Sequence, residues 1–356
     1  MENSSRAGSR QVKRRLELGQ NKDDDDDEAE KHPVPTEYKT LGGKKFFWPI
    51  QDKENPEIEN FENMFFILDS DRTALAEACS IFVDGTFRVA SGTKYAQLIV
   101  ISQRQFNKNR TKSMAYPTAM IFMTSQSKEA YSQVWNQLEE IVGTKINVEK
   151  CITDLELGLV NSLEEKFPLA MFIVCAVHAI RSWERKKQKL GLVKYSKNKQ
   201  HTFHHHWTMI RALPYVDCAN PLINSVVIEI LNDYENVCPE SIKDSVKQFH
   251  CYLVQYYLEL KDSTRFHPTK WATRHVPTSA SQRMEEFESS TNLAEGLNSG
   301  LNKLIPKGAK LDFGKAVQCI RQFKRQKMND LEYLRCFDRL PKTKKMVIVT
   351  QILRKT

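Results

Sequence analysis

Two aspartates sit where a strand-forming sequence would not ordinarily put them. In Ser80-Ile81-Phe82-Val83-Asp84-Gly85-Thr86-Phe87-Arg88-Val89 three apolar residues run into Asp84, and the strand pattern resumes after Gly85. Aspartate is depleted from strand interiors because it competes for backbone hydrogen bonds and is costly to bury without a partner. Taken alone, Asp84 reads as a hydrogen-bonded structural residue beside a glycine bulge. It is not alone, because Lys150-Cys151-Ile152-Thr153-Asp154-Leu155-Glu156 is a second strand-like run that meets an aspartate at its end. Hard carboxylate oxygens on two strand ends, distant in sequence and convergent on one rigid sheet, are what a divalent-metal site needs.

The elements that must position these carboxylates follow from periodicity. Strand patterns cover 80–89, 95–103 and 114–123, and a helix covers 128–142 with Tyr131, Val134, Trp135, Leu138 and Ile141 on one face. After the strand of Asp154 come a helix at about 156–166, an apolar strand at 170–174 and a basic helix at 178–190. This order predicts an α/β fold with a ribonuclease-H-like mixed sheet and flanking helices over a core of 80–192. Residues 1–45 read as a disordered acidic and basic tail, with Lys13-Arg14-Arg15, the acidic run Asp23 to Glu28, Pro33 and Pro35. Residues 46–79 read as a lead-in segment, in which Ser70-Asp71 is expected to cap a short helix. Residues 193–285 have helical periodicity broken by Pro214, Pro221 and Pro239, which predicts an all-helical insertion before the last catalytic helix, with an irregular connection at 268–277. C-terminal helices at 286–340 complete the core. In them Ser290, Thr291 and Asn292 offer caps, Leu293, Leu297, Leu301, Leu304 and Ile305 make one apolar face, and a long helix covers 313–337.

Composition bounds the function. The chain has 356 residues, 40% hydrophobic and 27% charged, and no run approaches the roughly 18 apolar residues of a membrane span. A soluble protein without a membrane partner is expected, in the cytosol or nucleus, and eight irregularly spaced cysteines suggest reduced thiols. The formal charge is +9, concentrated in two runs. Residues 181–199 hold eight Lys/Arg against Glu184 alone, and residues 303–345 hold thirteen against four acids. Two basic runs beside a metal site favour a polyanion, most commonly nucleic acid. The residues expected to hold DNA are Arg181, Arg185, Lys186 and Lys187 on one helix, and Lys315, Arg321, Lys324 and Arg325, with Lys327, on the other.

The motifs IFVDGTFRVASG, YAQLIVI, PTAMIFMTSQSKEAYSQVW, CITDLELG, FPLAMFIVCAVHAI and RKKQKLGL, in this order, resemble the catalytic core of Mutator-like element transposases over residues 64–192. These are DNA transposases of the DDE superfamily with a ribonuclease-H-like fold. The block from Trp271 to Asn298, with STNLAEGLN, is similar to the segment that delivers the family's third acid. The resemblance implies that Asp84, Asp154 and Glu295 are the catalytic and metal-binding acids, using two Mg2+ or Mn2+ ions to cleave and join phosphodiester bonds. Glu285, Glu286 and Glu288 remain alternatives for the third acid, and Glu156 is a supporting residue. Cys175-Ala176-Val177-His178 matches the family's Cys-x-x-His. It is expected to support the active site, with half of a zinc site as the alternative. A nuclear location and a homo-oligomer on transposon-end and target DNA are also implied.

The chain departs from the family in two places. Asn298 stands where the family commonly has His, and no cysteine precedes Cys79, so the family's N-terminal zinc finger is not expected here. Two readings therefore stand: a metal-dependent DNA transposase core, or a host-adopted, catalytically inactive relative that binds DNA. An unrelated ribonuclease-H-like nuclease fits the fold but not the long helical stretch between Asp154 and Glu295.

Overall fold

A parallel register between two short stretches fixes the architecture: Ser80 pairs with Lys150, Ile81 with Cys151, Phe82 with Ile152 and Val83 with Thr153. The computed structural model describes residues 34, 36–51, 59–261, 264–272 and 292–337. The sheet and its helices belong to one compact unit, Glu37–Thr356.

That unit opens on a two-stranded hairpin, β1 (Thr40–Leu41) and β2 (Lys44–Lys45). The described structure thus reaches into the segment expected to be a disordered tail. Gly42 and Gly43, at φ 59° and 74°, supply the two left-handed residues that a two-residue turn requires, and Leu41 is buried. Then come β3 (Phe47–Gln51), β4 (Glu59–Ile67), α1 (Asp69–Ala76), β5 (Ser80–Thr86), β6 (Gln97–Phe106) and β7 (Ser113–Met123). They are followed by α2 (Lys128–Val142), β8 (Lys150–Thr153), α3 (Leu157–Lys166), β9 (Met171–Val174) and α4 (Ala176–Lys189). Helix α1 starts before its expected Ser70-Asp71 cap, with Leu68 at the N-cap.

The seven larger strands form one mixed sheet in the order β3-β4-β7-β6-β5-β8-β9. Strands β5, β6 and β7 make an antiparallel meander, and β8 and β9 add in parallel on the other side of β5. This is the ribonuclease-H-like arrangement, widened by β4 and β3. The two faces are sorted by the period of two along each strand. Ile81 and Val83 pack with α1, α2 and α3 in a core that contains Leu75, Tyr131, Trp135, Leu138, Leu159 and Leu163. Phe82 points to the opposite face and clusters with Ile152, Ile173 and Ala294. Helix α2 begins on Ser127, whose hydroxyl accepts from Ala130 N, and ends on Gly143 at φ 83°. Each fully buried large side chain on its inner stripe contributes on the order of 2 kcal/mol through burial.

Beyond α4 the described chain is helical: α5 (Val193–Lys197), α6 (Thr202–Ala212), α7 (Pro221–Val237), α8 (Lys243–Leu253) and α9 (Pro268–Trp271). They share a separate core, where Trp183 of α4 meets Tyr257 and Trp271 edge-on. Helices α10 (Asn292–Asn302) and α11 (Phe313–Phe337) then return to the sheet face that carries Phe82. Among the described residues no helix is long and apolar enough to cross a membrane.

Candidate active site

The register that joins β5 to β8, continued by one residue past Val83 and Thr153, sets Asp84 beside Asp154 at the sheet's C-terminal edge. Asp84 shares its face with Phe82, so it points toward α10. Gly85 beside it leaves room for Gln97, since a Cβ there would lie 2.7 Å from Gln97 Oε1 and force that side chain to shift. Asp154 leaves the strand and its Oδ1 accepts from Glu156 N at 3.1 Å, which turns the chain into α3. Cys175, whose backbone N donates to Thr153 O at 2.8 Å, is the N-cap of α4 and places His178 in the first turn.

Helix α10 is keyed to β5 by two asparagines. Asn298 Nδ2 donates to Asp84 Oδ2 at 2.7 Å, and Asn302 Nδ2 donates to Thr86 Oγ1 at 3.3 Å. Four residues of helix advance about 6 Å and two residues of strand about 6.6 Å, so the two spacings match along parallel axes. The same seating brings Glu295, one turn before Asn298, over the end of the sheet. Glu295 Oε2 pairs with Arg181 at 2.9 Å, and its Oε1 lies 3.6 Å from His178 Nδ1.

Two overlapping groups of ligand atoms result, each with all its atoms within 4.8 Å: Asp84, Asp154 and His178, and Cys175, His178 and Glu295. His178 belongs to both. The first group is rich in hard oxygen, and the second offers S, N and O donors of the kind zinc also accepts. The partner for Cys175 and His178 that the sequence did not offer as a second Cys/His pair is Glu295, more than a hundred residues away. The residues fit a divalent cation by a local test, because buried acceptors lack donors: Glu295 Oε1 and Asn298 Oδ1 have no hydrogen-bond partner.

Electrostatics point the same way. Burial and then the neighbouring Asp154 carboxylate push Asp84 up to about 6, against the pull of His178 and the Asn298 bond. Burial also raises Asp154, although the Glu156 backbone bond and His178 oppose it. Glu156 is pushed up to about 7 by burial, with Asp154 and Asp84 adding to it and the Tyr131 bond opposing. Its Oε1 accepts from Tyr131 Oη at 2.6 Å, and Tyr131 in turn is held by Gln97. For His178, burial works against protonation, but Cys175, Asp154 and Asp84 outweigh it and hold the imidazole above its ordinary value. Carboxylates raised by burial, and at Asp84 and Glu156 also by their acidic neighbours, are stabilised by an added positive charge.

The basic residues divide. Arg185 and Arg325 are exposed, and Lys186 lies half-buried over the Tyr252 ring. Lys315 is exposed but paired with Asp312 at 2.7 Å, and Arg321 donates to Thr40 O at 3.0 Å. Two lysines expected on the DNA-facing surface are instead buried. Lys187 stacks on Trp207 at 3.9 Å in the helical core, and Lys324, 1% exposed, pairs with Asp71 at 2.6 Å and donates to Pro117 O. Helical periodicity alone put Lys324 beside Arg321 and Arg325. The Pro117 carbonyl of β7 and the buried Asp71 of α1, both distant in sequence, turn it inward. Glu285, Glu286 and Glu288 lie outside the described residues, as do Lys13-Arg14-Arg15, Ser290 and Thr291.

Sequence reasoning missed the contact of Asn298 with Asp84 and the basic loop after α10. There Lys303, Lys307 and Lys310 are exposed, and the loop is tied to the chain after β5 by Leu311 N donating to Ser91 O at 2.9 Å and by Arg88 donating to Ile305 O at 2.9 Å. The run of charge was visible, but its adjacency to β5 was not.

No curated protein matches the sequence. Among solved structures the chain aligns with a chain described as the Drosophila P element transposase strand transfer complex, at 11% identity and a TM-score of 0.23, over 74% of this chain and 66% of that one. The chain therefore spans about two thirds of that chain's length. A family model gives the more local result: over residues 80–182, the stretch that runs from the start of β5 into α4 and holds Asp84, Asp154, Cys175 and His178, the chain matches the MULE transposase domain.

Proposed function

We propose that the chain is the catalytic core of a DNA transposase that cleaves and joins phosphodiester bonds with two Mg2+ or Mn2+ ions. The observation that carries this reading is the convergence of Asp84, Asp154 and His178 within 4.8 Å at adjoining strand ends, inside the MULE transposase match. Asp84 and Asp154 would hold the ions, with Glu295 as the third acid. Divalent cations in such a cradle offset the charge that builds up on the phosphate oxygens and favour attack by water or a 3′-hydroxyl. His178 links the two donor groups and orients toward both. Arg181, half-exposed on α4, neutralises Glu295 and in this reading would also meet a phosphate. Exposed Arg185, Arg325, Lys303, Lys307 and Lys310 supply the positive surface that a DNA backbone needs. Nuclear location and assembly on DNA as a homo-oligomer belong to this same reading.

The test is a nicking assay on supercoiled DNA with and without Mg2+ or Mn2+. Asp84→Asn keeps the shape of the side chain and removes its charge, so divalent-dependent nicking should vanish while DNA affinity persists. Undiminished nicking in that variant would sink the catalytic role, and DNA binding without any nicking in the unaltered protein would favour the adopted, inactive relative.

A further inference from the structure

Asn298 is 7% exposed, yet it uses only one end of its amide. Nδ2 donates to Asp84 Oδ2 at 2.7 Å, while Oδ1 is buried and has no hydrogen-bond partner. Chemistry fixes which end faces the aspartate. An ionised carboxylate only accepts, so the amide must present its NH2 there, and its carbonyl is directed away. A buried carbonyl with no donor is an uncommon and costly arrangement that calls for a partner.

The neighbours say what that partner is. Glu295 lies three residues earlier on the same face of α10, and its Oε1 is also buried without a hydrogen bond. Asp84 and Asp154 add carboxylate oxygens to the same end of the sheet. Arg181 and His178 meet only part of this acceptor set, and the hard oxygens left over are completed by a cation.

The geometry points to Asn298 as a direct ligand: its Oδ1 completes the coordination of the divalent cation held by Asp84 and Asp154, while its Nδ2 fixes the orientation of Asp84. A neutral amide oxygen suits this place, since it is a hard donor that raises the ligand count without adding a further negative charge to carboxylates that already repel one another. The inference rests on the proposed divalent-metal function, and it assigns to Asn298 a role separate from the three acids.

The experiment is Mn2+ binding to the full chain without DNA, read by calorimetry and by the loss of the free-ion paramagnetic signal. The variants are Asn298→Leu, Asn298→Asp and Asp84→Asn, with thermal unfolding in the absence of metal as the check on folding. Asn298→Leu keeps the approximate volume and removes both polar ends, so Mn2+ affinity should fall roughly tenfold or more. Asn298→Asp keeps a ligand oxygen and loses the NH2, so it should retain clearly more Mn2+ affinity than Asn298→Leu. Affinity in Asn298→Leu within twofold of the unaltered chain overturns the assignment. So does a loss in Asn298→Asp as large as in Asn298→Leu, which would mean that the contact to Asp84 alone matters. Asp84→Asn separates the two levels: undiminished Mn2+ binding there removes the metal site itself, whereas its loss together with an indifferent Asn298→Leu removes only the role of Asn298.

Discussion

Arg181 and Glu295 form an ion pair of 2.9 Å that ties the helix following β9 to the helix that returns from the far end of the chain. Arg181 is thus a counter-charge for Glu295. Glu295→Gln should cut divalent-dependent cleavage roughly 100-fold or more and leave thermal unfolding and DNA affinity nearly unchanged. Arg181→Ala should raise Mn2+ affinity a few-fold, because a competing cation is gone. Full cleavage by Glu295→Gln would pass the third-acid role to Glu285, Glu286 or Glu288.

The raised acids make metal stabilisation depend on pH. Asp84 titrates at about 6 and Glu156 at about 7, each above its ordinary value near 4, through burial first. A carboxyl raised in the folded state contributes stability that is present below its unfolded value and is lost as pH rises through 6 to 7. A divalent cation reverses that loss. The rise in melting temperature caused by saturating Mn2+ should therefore be larger at pH 8 than at pH 5.5, and equal shifts would speak against a shared site.

The helical region carries a titration of opposite sign. His206 Nε2 and His250 Nε2 are 2.8 Å apart, and His250 Nδ1 lies 2.9 Å from Glu235 Oε1, with His206 stacked on Tyr234. Burial pulls His206 down to about 3, helped by His250, and pulls His250 down to about 4. Both are neutral when folded and protonate near 6.5 when unfolded, so stability is intact above pH 6.5 and is lost as pH falls toward 4. At pH 5 the pair should cost about 4 kcal/mol, roughly 2 from each imidazole. Urea unfolding followed by the fluorescence of Trp183, Trp207 and Trp271 measures it, and His206→Phe should flatten the dependence.

Lys324 is a buried cation with one anion, Asp71, at 2.6 Å, and burial pulls its ammonium down to about 8. Lys324→Met strands the Asp71 carboxylate and should cost about 3–5 kcal/mol. Adding Asp71→Asn should recover part of the loss. A single variant as stable as the unaltered chain in urea would show that the pair is not formed.

DNA affinity should fall steeply with salt, with each phosphate contact contributing a slope of about 0.9 on logarithmic axes. Changing exposed Arg185 and Arg325 to Gln should lower the slope, whereas changing buried Lys187 should alter stability and leave the slope alone. A slope reduced by Lys187→Gln at unchanged stability would contradict its place over Trp207.

What the sequence determined by itself was local and periodic. The alternation around Asp84, the stripe of Tyr131, Val134, Trp135, Leu138 and Ile141, and the order of strands and helices were enough for a mixed sheet, because side-chain period and strand order are properties of short segments. The motifs around Asp84, Asp154, Cys175 and His178 lie within one stretch of about a hundred residues that the MULE transposase match also covers. Tertiary structure alone decided the rest. Whether Lys324 faces solvent depends on Asp71 and Pro117, which are distant in sequence, and no helical wheel contains them. The β1–β2 hairpin lies in a stretch whose composition reads as a tail, and only its packing shows Leu41 buried. Above all, Asn298 read as a departure from a pattern, and only the seating of α10 on β5 made it a partner of Asp84. Contacts between residues 214 positions apart arise from packing of whole elements, and pairwise spacing in the sequence carries no term for that.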